Sequence, residues 1–338
     1  MTKLDQIAAA LTRKHVYIQT HNFPDPDAIA CAYGMKVLLK TKGITATICH
    51  RGKIDAYSTS KIVEVFKIDM KEFDELDAKG ALSHNDEIIL VDSQFGNANI
   101  SNMKGKEVVC IDHHPTMDNP TDGYRFYDIR PEMGACSTMI GEYFVEAGVP
   151  FDKKTATLLS YGIRTDTDNL CRGVTKADIE MMALLFDKTD SNLIHRLLNS
   201  TLYREDLRTY SKAIKTTEIY QNISFSYLGR NCPETLIASI CDFMLALVEV
   251  EVSVVYSVRN HGIKISVRSE SVKYDAGRIT KKALKGIGDG GGHPCMAGGF
   301  VPLNGADAND VIDEIKNRYI GILHRSGALP VEHKDNEE

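Results

Sequence analysis

Short apolar, β-branched runs alternate with longer stretches of helical periodicity along the first half of the chain. Val16 to Thr20, Thr45 to Cys49, Glu87 to Val91 and Glu107 to Ile111 are predicted as buried strands, and Ala28 to Thr41 and Ser137 to Ala147 as helices. Such alternation predicts an α/β fold with a mostly parallel, doubly wound sheet covered by helices on both faces. Ligands in such sheets sit beyond the carboxyl ends of the strands. Three of the four strands are followed at once by residues that can bind metal: His21, Asp92, and the run Asp112-His113-His114.

The second half reads differently. From about Phe186 to Tyr220 the pattern is helical and rich in charge, which predicts a connecting helix. Strands are expected at Ile223 to Leu228, Val250 to Arg259 and Ile263 to Arg268, then a helix from Ala276 to Lys285, a glycine-rich loop from Gly286 to Gly299, and a polar, frayed tail. The predicted organisation is a first domain over 1–190, a helical linker over 191–220, a smaller mixed α/β domain over 221–325, and a tail over 326–338.

Composition narrows the function classes. The 338 residues carry 40 basic against 46 acidic side chains, a net charge of −6, which argues against coating duplex nucleic acid. No run approaches the roughly 20 apolar residues of a membrane span. The amino terminus reads as a short amphipathic helix rather than a signal peptide. Eight scattered cysteines without a CxxC pair suggest neither a zinc ribbon nor a disulfide framework, and fit reduced core thiols in a cytoplasmic protein. Between Arg259 and Lys285, eight basic residues face only Glu270 and Asp275, a local net of 8 − 2 = +6. Beside a glycine-rich segment this is read either as a solvated helix face or as a phosphate-facing wall.

The candidate chemistry lies at the strand ends. In HNFPDPDA, Pro24 and Pro26 bias Phe23 and Asp25 away from the helical region, so Asp25 and Asp27 are expected on one side of an extended chain, able to serve adjacent cations. The competing reading makes Asp27 an ordinary N-cap. Asp92 in ILVDS and the DHH of CIDHHP shift the balance, because carboxylates gathered at one sheet edge repel one another unless cations neutralise them. Two divalent metals resolve that conflict, and a carboxylate-rich set without thiolate suits manganese or magnesium better than zinc. Asp166 and Asp168, in a polar loop after a helix, can each complete the cluster; GACST, Gly134 to Thr138, reads as an anion-holding helix start or as an N-cap at Ser137. The run GIGDGGGHPCMAGG, with Arg268-Ser269 upstream, reads as a phosphate or nucleotide cradle.

Taken together, HNFPDPDA, VDS, DHHP, the TDT of RTDTD, and GGGH resemble the DHH phosphoesterase superfamily, in the branch with a DHH-associated domain at its carboxyl end. The motifs occur in order over about residues 15 to 300. The resemblance implies a DHH dimetal domain holding two manganese ions (Mg2+ or Co2+ as substitutes), with a DHH-associated domain that closes over the substrate. By motif it implies His21 and Asp25 on one metal, Asp27, His113 and Asp166 on the other, and Asp92 bridging. Asp92, His113 and His114 then form the catalytic set, His114 facing the substrate phosphate, while Arg268, Ser269, Gly291, Gly292 and His293 hold the substrate's other end. The family often has Gly where this chain has Pro26 and Asp168, and Glu where it has Thr138; no metal ligand is lost by these departures.

The function this implies is a manganese-dependent phosphoesterase acting on short oligonucleotides, 3′-phosphoadenosine 5′-phosphate, or both, similar to the bacterial nanoRNases. Rival readings keep the same site: a phosphodiesterase for linear or cyclic dinucleotides or cyclic mononucleotides, or a polyphosphate or pyrophosphate hydrolase. A nucleotide sensor with decayed catalysis is the reading from a different class. The absence of Trp argues against long polynucleotide tracks lined by stacking aromatics. The expected partner is a short single-stranded nucleic acid or nucleotide, with no duplex track and no membrane; relatives of this kind are often homodimers.

Overall fold

The computed structural model describes residues 1–52, 54, 57–97, 99–115, 123–199 and 202–325. The chain divides into two compact units, Met1–Thr201 and Leu202–Glu338. The expected tail over 326–338 lies outside the described residues.

The first unit runs α1 (Lys3–Ala10), β1 (His15–Gln19), α2 (Pro26–Thr41), β2 (Thr45–His50), α3 (Tyr57–Val65), β3 (Met70–Glu72), α4 (Phe73–Ala78), β4 (Glu87–Val91), β5 (Lys106–Asp112), β6 (Phe126–Ile129), α5 (Cys136–Glu146), α6 (Lys153–Asp166), α7 (Lys176–Phe186) and α8 (Ser191–Asn199). Its strands pair in the order β3-β2-β1-β4-β5-β6, all parallel. The apolar runs are continuous because both faces are covered. Val16, Ile18, Ile89, Val91, Val109 and Ile111 point into the core formed with α2, α5 and α6, whereas Tyr17, Ile88, Leu90 and Cys110 point into a second core with Phe73, Leu82 and Met103. Strand order reverses direction between β1 and β4, so the crevice at their carboxyl ends is where such a sheet binds ligands.

The second unit contains α9 (Asp206–Thr216), β7 (Glu218–Tyr220), β8 (Ile223–Arg230), α10 (Glu234–Met244), β9 (Val252–Val258), β10 (Gly262–Ser269), α11 (Ala276–Leu284), β11 (Asp289–Gly292), β12 (Met296–Pro302) and α12 (Ala308–Arg325). Its sheet, ordered β11-β12-β10-β9-β8-β7, is mixed: β8 and β9 are parallel across the α10 crossover and the other pairs are antiparallel. Val254 and Tyr256 face the core shared with Tyr319, while Val255 between them faces the core with Ile237 and Ile240.

Two expectations are corrected. The stretch read as one connecting helix is two helices, α8 and α9, and its end pairs as strand β7. The glycine-rich run read as a loop is largely the hairpin β11–β12. No helix among the described residues is long and apolar enough to cross a membrane. None of the eight cysteines, all among the described residues, is in a disulfide, and six of them are buried.

Candidate metal centre

Six side chains from five segments converge at the carboxyl edge of the first sheet. His21 follows β1 and is held by its own backbone: Nδ1–H donates to Asn22 O at 2.9 Å, which leaves Nε2 facing Asp25 Oδ1 and Asp92 Oδ2, each 3.7 Å away. His113 repeats the device after β5. Its Nδ1–H donates to Met133 O at 3.1 Å, and Nε2 lies 3.4 Å from Asp92 Oδ1 and 3.0 Å from Asp166 Oδ2. An imidazole fixed through one nitrogen by a carbonyl and presenting the other to carboxylates is how proteins prepare a metal ligand.

The Asp-Pro-Asp segment is not extended throughout, as its prolines suggested. Asp25 is the N-cap of α2, accepting from Ala28 N at 3.0 Å, Pro26 occupies the first turn, and Asp27 is already helical. Asp25 and Asp27 therefore diverge and serve different clusters. Nor is Asp27 a cap of its own helix: its carboxylate accepts from Cys136 N at 2.8 Å and Ser137 N at 3.0 Å, the free amides that open α5. The anion held by GACST is thus the protein's own Asp27. Ser137 is not an N-cap, since α5 begins at Cys136 after Ala135, which makes no side-chain cap.

Ligand-capable atoms fall into three overlapping sets, each within 4.8 Å: His21, Asp25 and Asp92; Asp27, His113 and Asp166; Asp92, His113 and His114. Asp92 is the hinge of the arrangement, turning Oδ2 to His21 and Oδ1 to His113. It is 2% exposed, sits at a left-handed φ of 56°, and its Oδ1 is buried without a hydrogen-bond partner, as is His113 Nε2. Strained backbone and orphaned buried polar atoms aimed at one point mark a functional site. Burial, then the charges of Asp27 and Asp25, raise the Asp92 carboxyl well above the usual range; burial, then Asp166, push Asp27 up to about 7. Burial works against protonation of His113, yet the Asp166 carboxylate and the Asp27 charge push it up to about 10. The cluster demands positive charge, and its oxygen-rich, thiolate-free donors fit divalent cations such as manganese or magnesium.

The remaining sequence-predicted residues are placed as follows. Asp166 ends α6 rather than lying in a loop, and Asp168, at φ 47° and exposed, joins none of the three sets. His114 Nδ1–H donates to Asp112 Oδ1 at 2.8 Å, so its nitrogen within the third set is taken and Nε2 is the free one, on a side chain 38% exposed. In the second unit, Arg268 Nε donates to Asp242 Oδ1 at 2.6 Å, and the buried Ser269 hydroxyl donates to Tyr274 O at 2.6 Å. Gly291 and Gly292 pair with Gly298 and Ala297 in the hairpin, and His293 N donates to Met296 O at 2.7 Å. A Cβ at Gly291 would meet nothing within 4 Å, so that face of the strand looks onto open space.

Behind the three sets lie residues whose role sequence reasoning missed: Asp112, read there as able to bind metal, is in none of them and instead orients its neighbours. Asp112, wholly buried, also accepts from the backbone amides of His113 and His114 and from Gln94 Nε2 at 2.7 Å, and Gln94 Nε2 donates again to His114 O at 3.0 Å. Asp178, also buried, accepts from Gly134 N, Thr138 Oγ1, and Thr175 N and Oγ1, which anchors the start of α5 to α7. The inward face of a strand end signals Asp112; Gln94 and Asp178 carry no such signal.

The DHH family, N-terminal domain, matches residues 15–163, and the DHHA1 domain matches residues 220–321. The chain is 27% identical over 287 residues to the uncharacterized protein MJ1633 of Methanocaldococcus jannaschii, covering 85% of this chain but only 58% of that protein. It is 26% identical over 326 residues to the bifunctional oligoribonuclease and PAP phosphatase NrnA of Thermus thermophilus, covering 93% and 92% of the two chains. The crystal structure of an exopolyphosphatase-related protein from Bacteroides fragilis shares the fold, with a TM-score of 0.76 at 19% identity, covering 96% and 99% of the two chains.

Proposed function

Since the chain belongs to the DHH phosphoesterase superfamily, we propose that it is a manganese-dependent hydrolase of phosphoric ester bonds acting on short oligonucleotides, 3′-phosphoadenosine 5′-phosphate, or both. The observation that carries the reading is the convergence of two ligand sets on Asp92, with its orphaned Oδ1 beside the orphaned Nε2 of His113. His21, Asp25 and Asp92 would hold one cation and Asp27, His113 and Asp166 a second, with Asp92 shared. Divalent cations bound there supply Lewis acidity and neutralise charge growing on the phosphoryl oxygens.

The chain's own groups do the positioning. Asp112 fixes the His114 ring through Nδ1–H, so that Nε2 faces the edge of the cluster, where the imidazolium form would donate to a substrate phosphate. Asp27, clamped by the α5 amides, holds its carboxylate in one orientation. Arg268 and His293, with the open strand face at Gly291, are assigned to the far phosphate or base of the substrate. The substrate class is supported by similarity to NrnA along nearly its full length and by the locally basic segment Arg259 to Lys285. Free thiols throughout fit a cytoplasmic setting.

The test is hydrolysis by purified protein with Mn2+ of 5′-phosphorylated dinucleotides, longer oligonucleotides, 3′-phosphoadenosine 5′-phosphate, cyclic nucleotides and polyphosphate. Release of mononucleotides or of the 3′-phosphate, lost in Asp92→Ala together with bound metal, is the expected result. Turnover confined to polyphosphate, or an Asp92→Ala protein of near-normal rate, overturns the proposal.

A further inference from the structure

Helix α6 serves two faces of the first unit. At 100° per residue, Ser160 and Arg164 point roughly opposite to Gly162, which packs against Asp27 at the metal cluster. On their side, α6, α7 and α8 enclose a half-open cavity of about 230 Å³. Met182 and Ile194 give it apolar walls, and Arg164, His195, Thr189 and Ser191 give it polar ones, with no carboxylate among its lining residues.

Among the described residues the Arg164 guanidinium has no counter-charge. Its Nε is buried without a hydrogen-bond partner, and among the described residues Arg164 forms no ion pair. Of the acids nearest in sequence, Asp166 faces His113 at 3.0 Å, and the exposed Asp168 forms no ion pair with Arg164 among the described residues; Asp190, between the lining residues Thr189 and Ser191, pairs with Lys153 at 2.9 Å while accepting from Leu193 N. Arg164 is half-buried, but a buried N–H of a cation left unpaired costs free energy unless something satisfies it. His195 adds a second donor. Asn199 Nδ2 donates to its Nδ1 at 3.2 Å, which places the ring proton on Nε2. The Thr189 and Ser160 hydroxyls are spent on Leu185 O and Met182 Sδ, which leaves the guanidinium, the His195 Nε2–H and the Ser191 hydroxyl around a small space lined by no acid, a setting for an acceptor-only ligand of high charge density.

We propose that this cavity binds a phosphate group, either free inorganic phosphate or the phosphate of a nucleoside monophosphate, separately from the metal cluster. A planar guanidinium fork suits phosphate oxygens in a way that a surface lysine would not, and the cavity is too small for a whole oligonucleotide. The site needs no divalent cation and does not depend on the hydrolase reading. If that reading holds, its occupant is of the same class as the reaction's product.

Calorimetric titration of the full chain with inorganic phosphate, and separately with a nucleoside 5′-monophosphate, tests the site with no added metal and then with Mn2+. Metal-independent binding is expected, weakened at least about tenfold in Arg164→Gln, as loss of a hydrogen bond to a charged group implies. His195→Glu, at an exposed position, sets a carboxylate beside the guanidinium and should weaken binding similarly. It decides the matter if Arg164→Gln does not fold. Both variants should keep wild-type Mn2+ binding. Tighter binding of bare phosphate assigns the free ion; tighter binding of the monophosphate assigns the nucleotide. Binding that appears only with Mn2+, binding indifferent to both variants, or no binding at millimolar phosphate overturns the proposal.

Discussion

Gly162→Ala isolates how tightly the metal cluster is built into the helical layer. Helix propensity alone predicts that an alanine inside α6 stabilises by roughly 0.5–1 kcal/mol. The structure predicts the opposite sign. A Cβ at 162 would overlap Ser137 Oγ, sit 2.7 Å from Asp27 Oδ1 and press on the Asp27 backbone at 3.2 Å, where Asp27 and Ser137 are both fully buried. Relief requires either α6 to back away from α2 or the Asp27 carboxylate to turn off the α5 amides. Overpacking of this kind costs roughly 1–3 kcal/mol, and a lost charge-assisted hydrogen bond roughly 1.5–3. After subtracting the propensity gain, a net loss of up to about 2.5 kcal/mol is expected, together with weaker Mn2+ binding because Asp27 is displaced. Gly321→Ala is the control: it lies in α12 with nothing within 4 Å of a new Cβ, so the propensity gain should appear undiminished. Urea denaturation followed by circular dichroism reads the stabilities, and titration with Mn2+ reads the affinity. If Gly162→Ala matched or exceeded wild-type stability with unchanged Mn2+ affinity, the close packing of α6 on Asp27 would be refuted.

Three further outcomes are expected. Asp178→Ala strips a buried acceptor from Gly134, Thr138 and Thr175 and dismantles the capping box of α7, so denaturation should show a loss of about 3 kcal/mol; a loss under about 1 kcal/mol would mean the start of α5 does not need it. Glu87 tethers the chain before β1, accepting from Thr12 N and Oγ1, Arg13 N and Arg125 Nη1. Burial would raise its pKa, but Arg125 and Thr12 outweigh it and hold it below the ordinary 4.5, so its contribution is present above that pH and lost as pH falls below it. Denaturation midpoints of Glu87→Gln should accordingly fall less steeply than wild type on acidification, and parallel curves would contradict the assignment. Asp112→Asn should leave Mn2+ content intact while lowering kcat roughly 10- to 100-fold through misorientation of His114; loss of metal instead would make Asp112 part of the cation site.

What could be read from the chain depended on how local each interaction is. The strands of the first sheet were legible because burial on both faces leaves no polar alternation, and the convergence of His21, Asp92 and His113 was legible because each follows such a strand directly. The Asp27 clamp was not, since the amides it binds lie 109 and 110 residues away and the sequence on either side reads as an ordinary helix start. The break between α8 and α9 escaped for a different reason. No glycine or proline interrupts the helical periodicity there, and α9 gets its own beginning from a local turn in which Tyr203 N donates to Asp206 Oδ2 at 2.8 Å and Asp206 N to Tyr203 O at 3.0 Å. The glycine run misled most directly. Glycine has low strand propensity, so its density suggests a loop, yet β11 is a strand because α11 presses its first turn onto it. Ala276 N and Gly277 N donate to Pro294 O and His293 O, and a Cβ at Gly277 would overlap Gly292 O. Gly292, at φ 154°, has no room for a side chain against Ala297 either. At Gly277 and Gly292 the absence of a Cβ therefore lets helix and hairpin backbones touch, which a flexible loop would not require, and Gly291 between those contacts is the position left open toward solvent.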